Sequence, residues 1–141
     1  MKMKEHASSQ SSPILQAIKN ALLSLHLLTM FAISVAGTMG INNLMRWADG
    51  VSLSQPGGTA NIACFYLLLS ASGAILAACK WHRDYNGLLF AFFPAAFALV
   101  GATGFSAWGM IMPAALMLAC APVPVAFALF LMKIENSASA V

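Results

Sequence analysis

GLLFAFFPAAFALVGATGFSAWGMIMPAALMLACAPVPVAFALFLM, residues 87–132, runs for 46 residues without one aspartate, glutamate, lysine or arginine. A hydrocarbon core about 30 Å thick takes about 20 helical residues to cross, at 1.5 Å each. The stretch is therefore long enough for two crossings, and Trp108-Gly109 near its centre has to serve as almost the whole turn. This division gives spans at Gly87–Trp108 and Met110–Met132, of 22 and 23 residues. Inside a bilayer no water satisfies the peptide groups, so each crossing must bond its own backbone and is expected to be helical.

Working outward, the charged heptapeptide KWHRDYN (80–86) separates these spans from another uncharged run, Ile62–Cys79, of 18 residues. Before it lies the one substantial connection, NNLMRWADGVSLSQPGGTAN (42–61), whose Gln55-Pro56-Gly57-Gly58 is a turn signal. The first uncharged run, Ala21–Ile41, has 21 residues. Ser12-Pro13 reads as a helix start, with serine as cap and proline at the first helical position. It opens a short interfacial turn with Ile14, Leu15 and Ile18 on one side and Gln16, Lys19 and Asn20 on the other. Polar tails, 1–12 and 133–141, complete the chain. Hydrophobic residues make up 60% of the 141 and charged residues 8%, against about 25% charged in a soluble domain. The expectation is an all-α integral membrane protein, and the short connections imply an antiparallel bundle of four transmembrane helices.

Orientation follows from the basic residues. Lys2, Lys4, Lys19, Lys80, Arg83 and Lys133 fall on one side of four spans and Arg46 alone on the other. Both termini are then cytoplasmic, in a bacterial inner membrane. Trp47 and Trp108 mark the outer interface, Trp81 and Tyr85 the inner one. Ser34-Val35-Ala36 also resembles the cleavage site of a secretory signal. The apolar run continues past it to Ile41, and the polar segment before it is long, which favours an uncleaved span.

The spans carry no carboxylate, lysine or arginine, the groups on which proton- or sodium-coupled transport usually depends. They offer hydroxyls but no convincing base or metal set, so no enzyme is expected. The scattered basic residues exclude nucleic acid as a partner. Cys64, Cys79 and Cys120 stand apart in apolar runs and read as buried hydrophobes.

His26, Met30, Ser34 and Gly37 share one face of the first span, flanked by Thr29 and Thr38. A ligand or haem site at His26 is one reading, and His82 is the only other axial histidine near the membrane. A neutral imidazole bonded to a hydroxyl or carbonyl of a neighbouring helix is the preferred one. Met110 and Met112, with Met39 and Met45, invite a copper site, but residues two apart do not share a helix face, and lipid or core contact is expected. No cofactor or metal is therefore assigned.

Small residues recur at packing intervals: Ser70, Gly73, Ala74 and Ala77 in the second span, Ala91, Ala95, Ala98 and Ala102 in the third. Such stripes let helix backbones approach closely, within the bundle or against a partner helix. Pro122 and Pro124 each remove a backbone donor from the middle of the fourth span, leaving the carbonyls of Leu118 and Cys120 without their usual partners. Lys80, Trp81, His82, Arg83, Asp84 and Tyr85 form the best cytoplasmic docking turn. The expected function is non-enzymatic helix-to-helix association, as accessory subunit of a membrane complex or as an immunity-type protein. The partner is another membrane protein or a second copy. The alternative is a transporter or channel component with a homo-oligomeric path around the proline-broken fourth span.

Overall fold

The computed structural model describes residues 12–80 and 86–139. Five helices follow one another: α1 (Pro13–Ala48), α2 (Gly58–Lys80), α3 (Asn86–Ala107), α4 (Ile111–Cys120) and α5 (Val123–Ser139). Four segments are long and apolar enough to cross a membrane, with α4 and α5 together forming the fourth. The regular structure of the described residues is all helical, and the four apolar segments make the chain a multi-pass membrane protein. Ser12 caps α1 as its residue type and position require, its Oγ accepting from the Leu15 amide at 3.2 Å with Pro13 following.

Two boundaries differ from expectation. The segment read as a short interfacial turn and the span after it are one helix of 36 residues, about 54 Å long at 1.5 Å per residue. The connection read as 42–61 shrinks to 49–57, because α1 continues through Asn42–Ala48 and α2 begins at Gly58. The polarity of Asn42, Asn43 and Arg46 marks where the helix leaves hydrocarbon and says nothing of where it ends. The stop comes at Gly50, whose φ of +67° lets the Val51 amide bond the Arg46 carbonyl at 2.9 Å and its own amide bond Trp47. The same device ends α3: Gly109 has φ +72°, and the Met110 amide reaches the Phe105 carbonyl at 2.9 Å. A turn at Trp108-Gly109 was the expectation.

α1 and α3 form the most extensive interface. At their crossing, glycines replace side chains. A Cβ on Gly37 would stand 2.6 Å from the Phe97 carbonyl carbon, and one on Gly101 would stand 2.6 Å from the Gly37 oxygen. Gly40 and Gly104 meet backbone to backbone in the same way, Gly40 against Gly101 and Gly104 against Gly40. Where lipid offers no hydrophobic drive for association, this approach gives the van der Waals contact that holds the pair. One small core joins α1, α3 and α4 through Ile33, Ala98, Ala102, Met117 and Ala121. A second joins α1, α2, α3 and α5 through Met30, Ile75, Ala91 and Ala128. Large apolar side chains such as Leu28, Phe92 and Leu116 are exposed, as a lipid solvent permits.

The break in the fourth span lies at Ala121-Pro122. Ala121 keeps helical angles, its amide bonds Met117 at 3.0 Å, and Ala126 picks up the Pro122 carbonyl at 3.0 Å. The Pro124 ring is fully buried, as is Pro94 within α3, while Pro122 is exposed. The prolines interrupt the bonding ladder of one crossing without dividing it into two.

Candidate functional site

On α1 the expected face is assembled: His26, Met30, Ser34, Gly37 and Thr38 are all buried. Its hydroxyls, however, are spent within the helix. Ser34 Oγ donates to the Met30 carbonyl at 2.8 Å, Thr38 Oγ1 to the Ser34 carbonyl at 2.7 Å, and Thr29 Oγ1 to the Leu25 carbonyl at 2.8 Å. Hydroxyls four residues after a carbonyl bond back to it readily. His26 is 5% exposed, and its ring centroid lies 5.0 Å from that of Phe127 at an interplanar angle of 30°. Its Nδ1 has no hydrogen-bond partner among the described residues. The expected bond to a neighbouring helix is therefore not made at Nδ1: an aromatic ring of α5 takes that place. His82, the other histidine weighed for haem, lies outside the described residues. Cys64 is buried and Cys120 partly so, both as free thiols, and Met112 and Met39 are exposed.

The two small-residue stripes have different uses. Ala91, Ala98 and Ala102 of α3 are buried in the two cores, with Ala95 partly buried beside them. The α2 stripe is not consumed in this way. Ala71 and Ile75 take the inward side, Ala74 and Ala77 are half-buried, and Ser70 and Gly73 are exposed. A Cβ on Gly73 would meet nothing within 4 Å. Phe65, Tyr66, Leu69 and Leu76 are exposed on the same helix. Tyr66 is 65% exposed, four residues past the start of the apolar run at Ile62, about 6 Å at 1.5 Å per residue. α2 packs chiefly on α1 and α3, and its Ile75 shares a core with Ala128 of α5.

At the end of the bundle that carries the 49–57 connection, a polar network appears that composition alone does not reveal. Arg46 Nε donates to Asn42 Oδ1 at 2.9 Å, and Asn42 Nδ2 donates to Asn61 Oδ1 at 2.8 Å. Arg46 Nη1 gathers the carbonyls of Ser52, Leu53 and Gln55 at 3.2, 3.3 and 2.8 Å. Trp108 Nε1 donates to the Asn43 carbonyl at 2.7 Å, fastening the α3–α4 turn to α1. The signal for the first bond was present in the spacing, since Asn42 and Arg46 are four apart on one helix. The loop carbonyls and the Trp108 bond depend on tertiary placement. Trp108→Phe is expected to lower stability by about 1 kcal/mol, the usual value of one neutral hydrogen bond, in detergent unfolding. An unchanged midpoint would show that the bond contributes nothing.

Lys80 closes α2; Trp81, His82, Arg83, Asp84 and Tyr85, the rest of the expected docking turn, lie outside the described residues. Comparison of the chain with protein-family models, with curated proteins and with solved structures gives no match.

Proposed function

We propose that this chain is a non-enzymatic protein of the bacterial cytoplasmic membrane that acts by helix-to-helix association, with α2 as its docking helix. It serves as an accessory subunit of a membrane complex or as an immunity-type protein that captures an intruding membrane helix. The single observation that carries this reading is the contrast between the stripes. Small residues on α3 are used up against α1, whereas Ser70 and Gly73 on α2 open outward beside an exposed Tyr66. A backbone surface of this kind admits a second helix closely, and the exposed Tyr66 phenol can hydrogen-bond across such a contact. In this proposal the bundle is antiparallel with both termini cytoplasmic. The distribution of basic residues supports the orientation. The registers support the pairing: partners on α2 descend from Cys64 to Asn61 as α1 ascends from Thr38 to Asn42, while partners on α3 ascend with α1.

The test is extraction in mild detergent and identification of what travels with the chain, a second copy included. Gly73→Leu is expected to abolish the association and to leave thermal stability within about 0.5 kcal/mol, as for an open surface position. A strictly monomeric particle without partner at every expression level would overturn the proposal. Liposome flux that responds to Pro122→Ala or Pro124→Ala, with association intact in Gly73→Leu, would instead support a path around the fourth span.

A further inference from the structure

Between α1 and α2, below the Arg46 network, lies a groove of about 360 Å³, open along one side, a size within the range of small-molecule sites, about 300–1,000 Å³. Its lining changes character along its length. Asn43 and Asn61 stand at the end nearest the 49–57 connection, and Val35, Phe65 and Leu68 line the rest. From Asn61 to Leu68 the groove descends about 10 Å along α2, from amides to hydrocarbon.

The amides are not equivalent. Asn61 Oδ1 accepts from Asn42 Nδ2 at 2.8 Å, and Asn42 Oδ1 accepts from Arg46 Nε at 2.9 Å. This chain of bonds commits the Asn61 oxygen and leaves its Nδ2 donor without a partner among the described residues. The Asn43 side chain has none there either, because Trp108 bonds only its backbone carbonyl. Arg46 is bound to Asn42 and the loop carbonyls and is not among the groove's lining residues. The walls are therefore uncharged: free amide donors at one end, apolar side chains at the other. The Arg46 guanidinium stands behind Asn42, which it bonds at 2.9 Å, and a neutral oxygen acceptor on an apolar tail matches both ends of the lining at once.

We propose that this groove binds the carbonyl of a membrane-dissolved amphiphile, held by the Asn61 and Asn43 amides with its apolar chain laid along Val35, Phe65 and Leu68. Two sources carry that chemistry, the acyl ester of a glycerolipid and the carbonyl of a long-chain quinone. The groove adjoins the docking helix's outward face, Phe65 meeting Tyr66 edge to face at 6.1 Å, but it does not rest on that reading, and the two are tested by separate variants.

Met39 lies on the same groove and is 61% exposed, so Met39→Cys supplies a reporter. With Cys64→Ala, Cys79→Ala and Cys120→Ala it is the sole thiol of the full chain, and its rate of modification by N-ethylmaleimide reads occupancy. The chain is placed in nanodiscs of dioleoyl phosphatidylcholine or of its diether analogue, which shares the headgroup and lacks the carbonyls. A third preparation adds decyl-ubiquinone to the diether discs. Labelling is expected to be about fivefold slower with a carbonyl ligand, which corresponds to one hydrogen bond of about 1 kcal/mol. Slowing by the diester assigns the lipid, and slowing by the quinone alone assigns the quinone. Asn61→Asp keeps the acceptor for Asn42 and deletes the donor, so protection is lost. Asn43→Ala, which breaks no side-chain bond of the fold, weakens it. The proposal is overturned if neither carbonyl ligand slows labelling relative to plain diether discs, or if both variants keep the full protection.

Discussion

Gly40→Ala is expected to destabilise the folded chain by about 2 kcal/mol, although alanine is the better helix former. The propensity gain is worth at most about 1 kcal/mol. Against it stands the Cβ, which would lie 2.6 Å from the Gly101 carbonyl carbon and against the Gly101 oxygen. Backbone cannot rotate aside as a side-chain end can, so α1 and α3 must separate along their whole crossing. Overpacking of this kind costs about 1–3 kcal/mol and more where the obstacle is rigid, which exceeds the propensity term. Gly73→Ala is the matched control: with nothing within 4 Å of its Cβ, only the propensity gain remains and stability is unchanged or slightly raised. Gly104→Ala meets the Gly40 carbonyl, so the double variant with Gly40→Ala is expected to lose less than the sum of the singles, because one separation accommodates both. Unfolding by sodium dodecyl sulfate in mixed micelles measures all four. Wild-type stability in Gly40→Ala would refute the close crossing.

The second large effect is expected at Arg46. Its guanidinium joins Asn42 on α1 to three carbonyls of the 49–57 connection, and through Asn42 it reaches Asn61 on α2. Bonds to a charged donor contribute about 1.5–3 kcal/mol each when well formed. The site is only part-buried, so a net loss of about 2 kcal/mol is expected for Arg46→Ala. Arg46→Lys recovers little, since a single ammonium cannot span the fork that satisfies Asn42 and the carbonyls together. The more specific readout is hydrogen exchange. Amides of residues 49–57 are expected to exchange faster by about tenfold or more in both variants, because local opening no longer breaks these bonds. Exchange unchanged in Arg46→Ala would show that the connection holds itself.

Much of the architecture could be read from residue order because the bilayer asks a one-dimensional question. A run either is or is not long and uncharged enough to cross, and Ser12-Pro13 and Gly109 mark ends through local backbone chemistry alone. Gly50 carried the same mark, but the polar run around it concealed that α1 persists through Asn42–Ala48. The candidate sites were less legible. Helical periodicity puts His26, Met30, Ser34 and Gly37 on one face, and all four are buried, yet the ring that the imidazole meets could not be inferred, because Phe127 is about a hundred residues away in sequence. The pairs Gly37 with Gly40 and Gly101 with Gly104 share the same three-residue spacing, a signal present in both spans that acquires meaning only when the two helices cross there.

The sequence by itself determined that this chain lies in a membrane as a small set of helices, for the physical reason that uncharged peptide of that length has no other way to satisfy its amides. Only the tertiary structure decided which small residues are already spent and which face outward, that α3 is welded to α1 while α2 stands at the edge, and that Arg46 clasps the connection. Those outcomes depend on which helix meets which, and helical periodicity is the same for every neighbour.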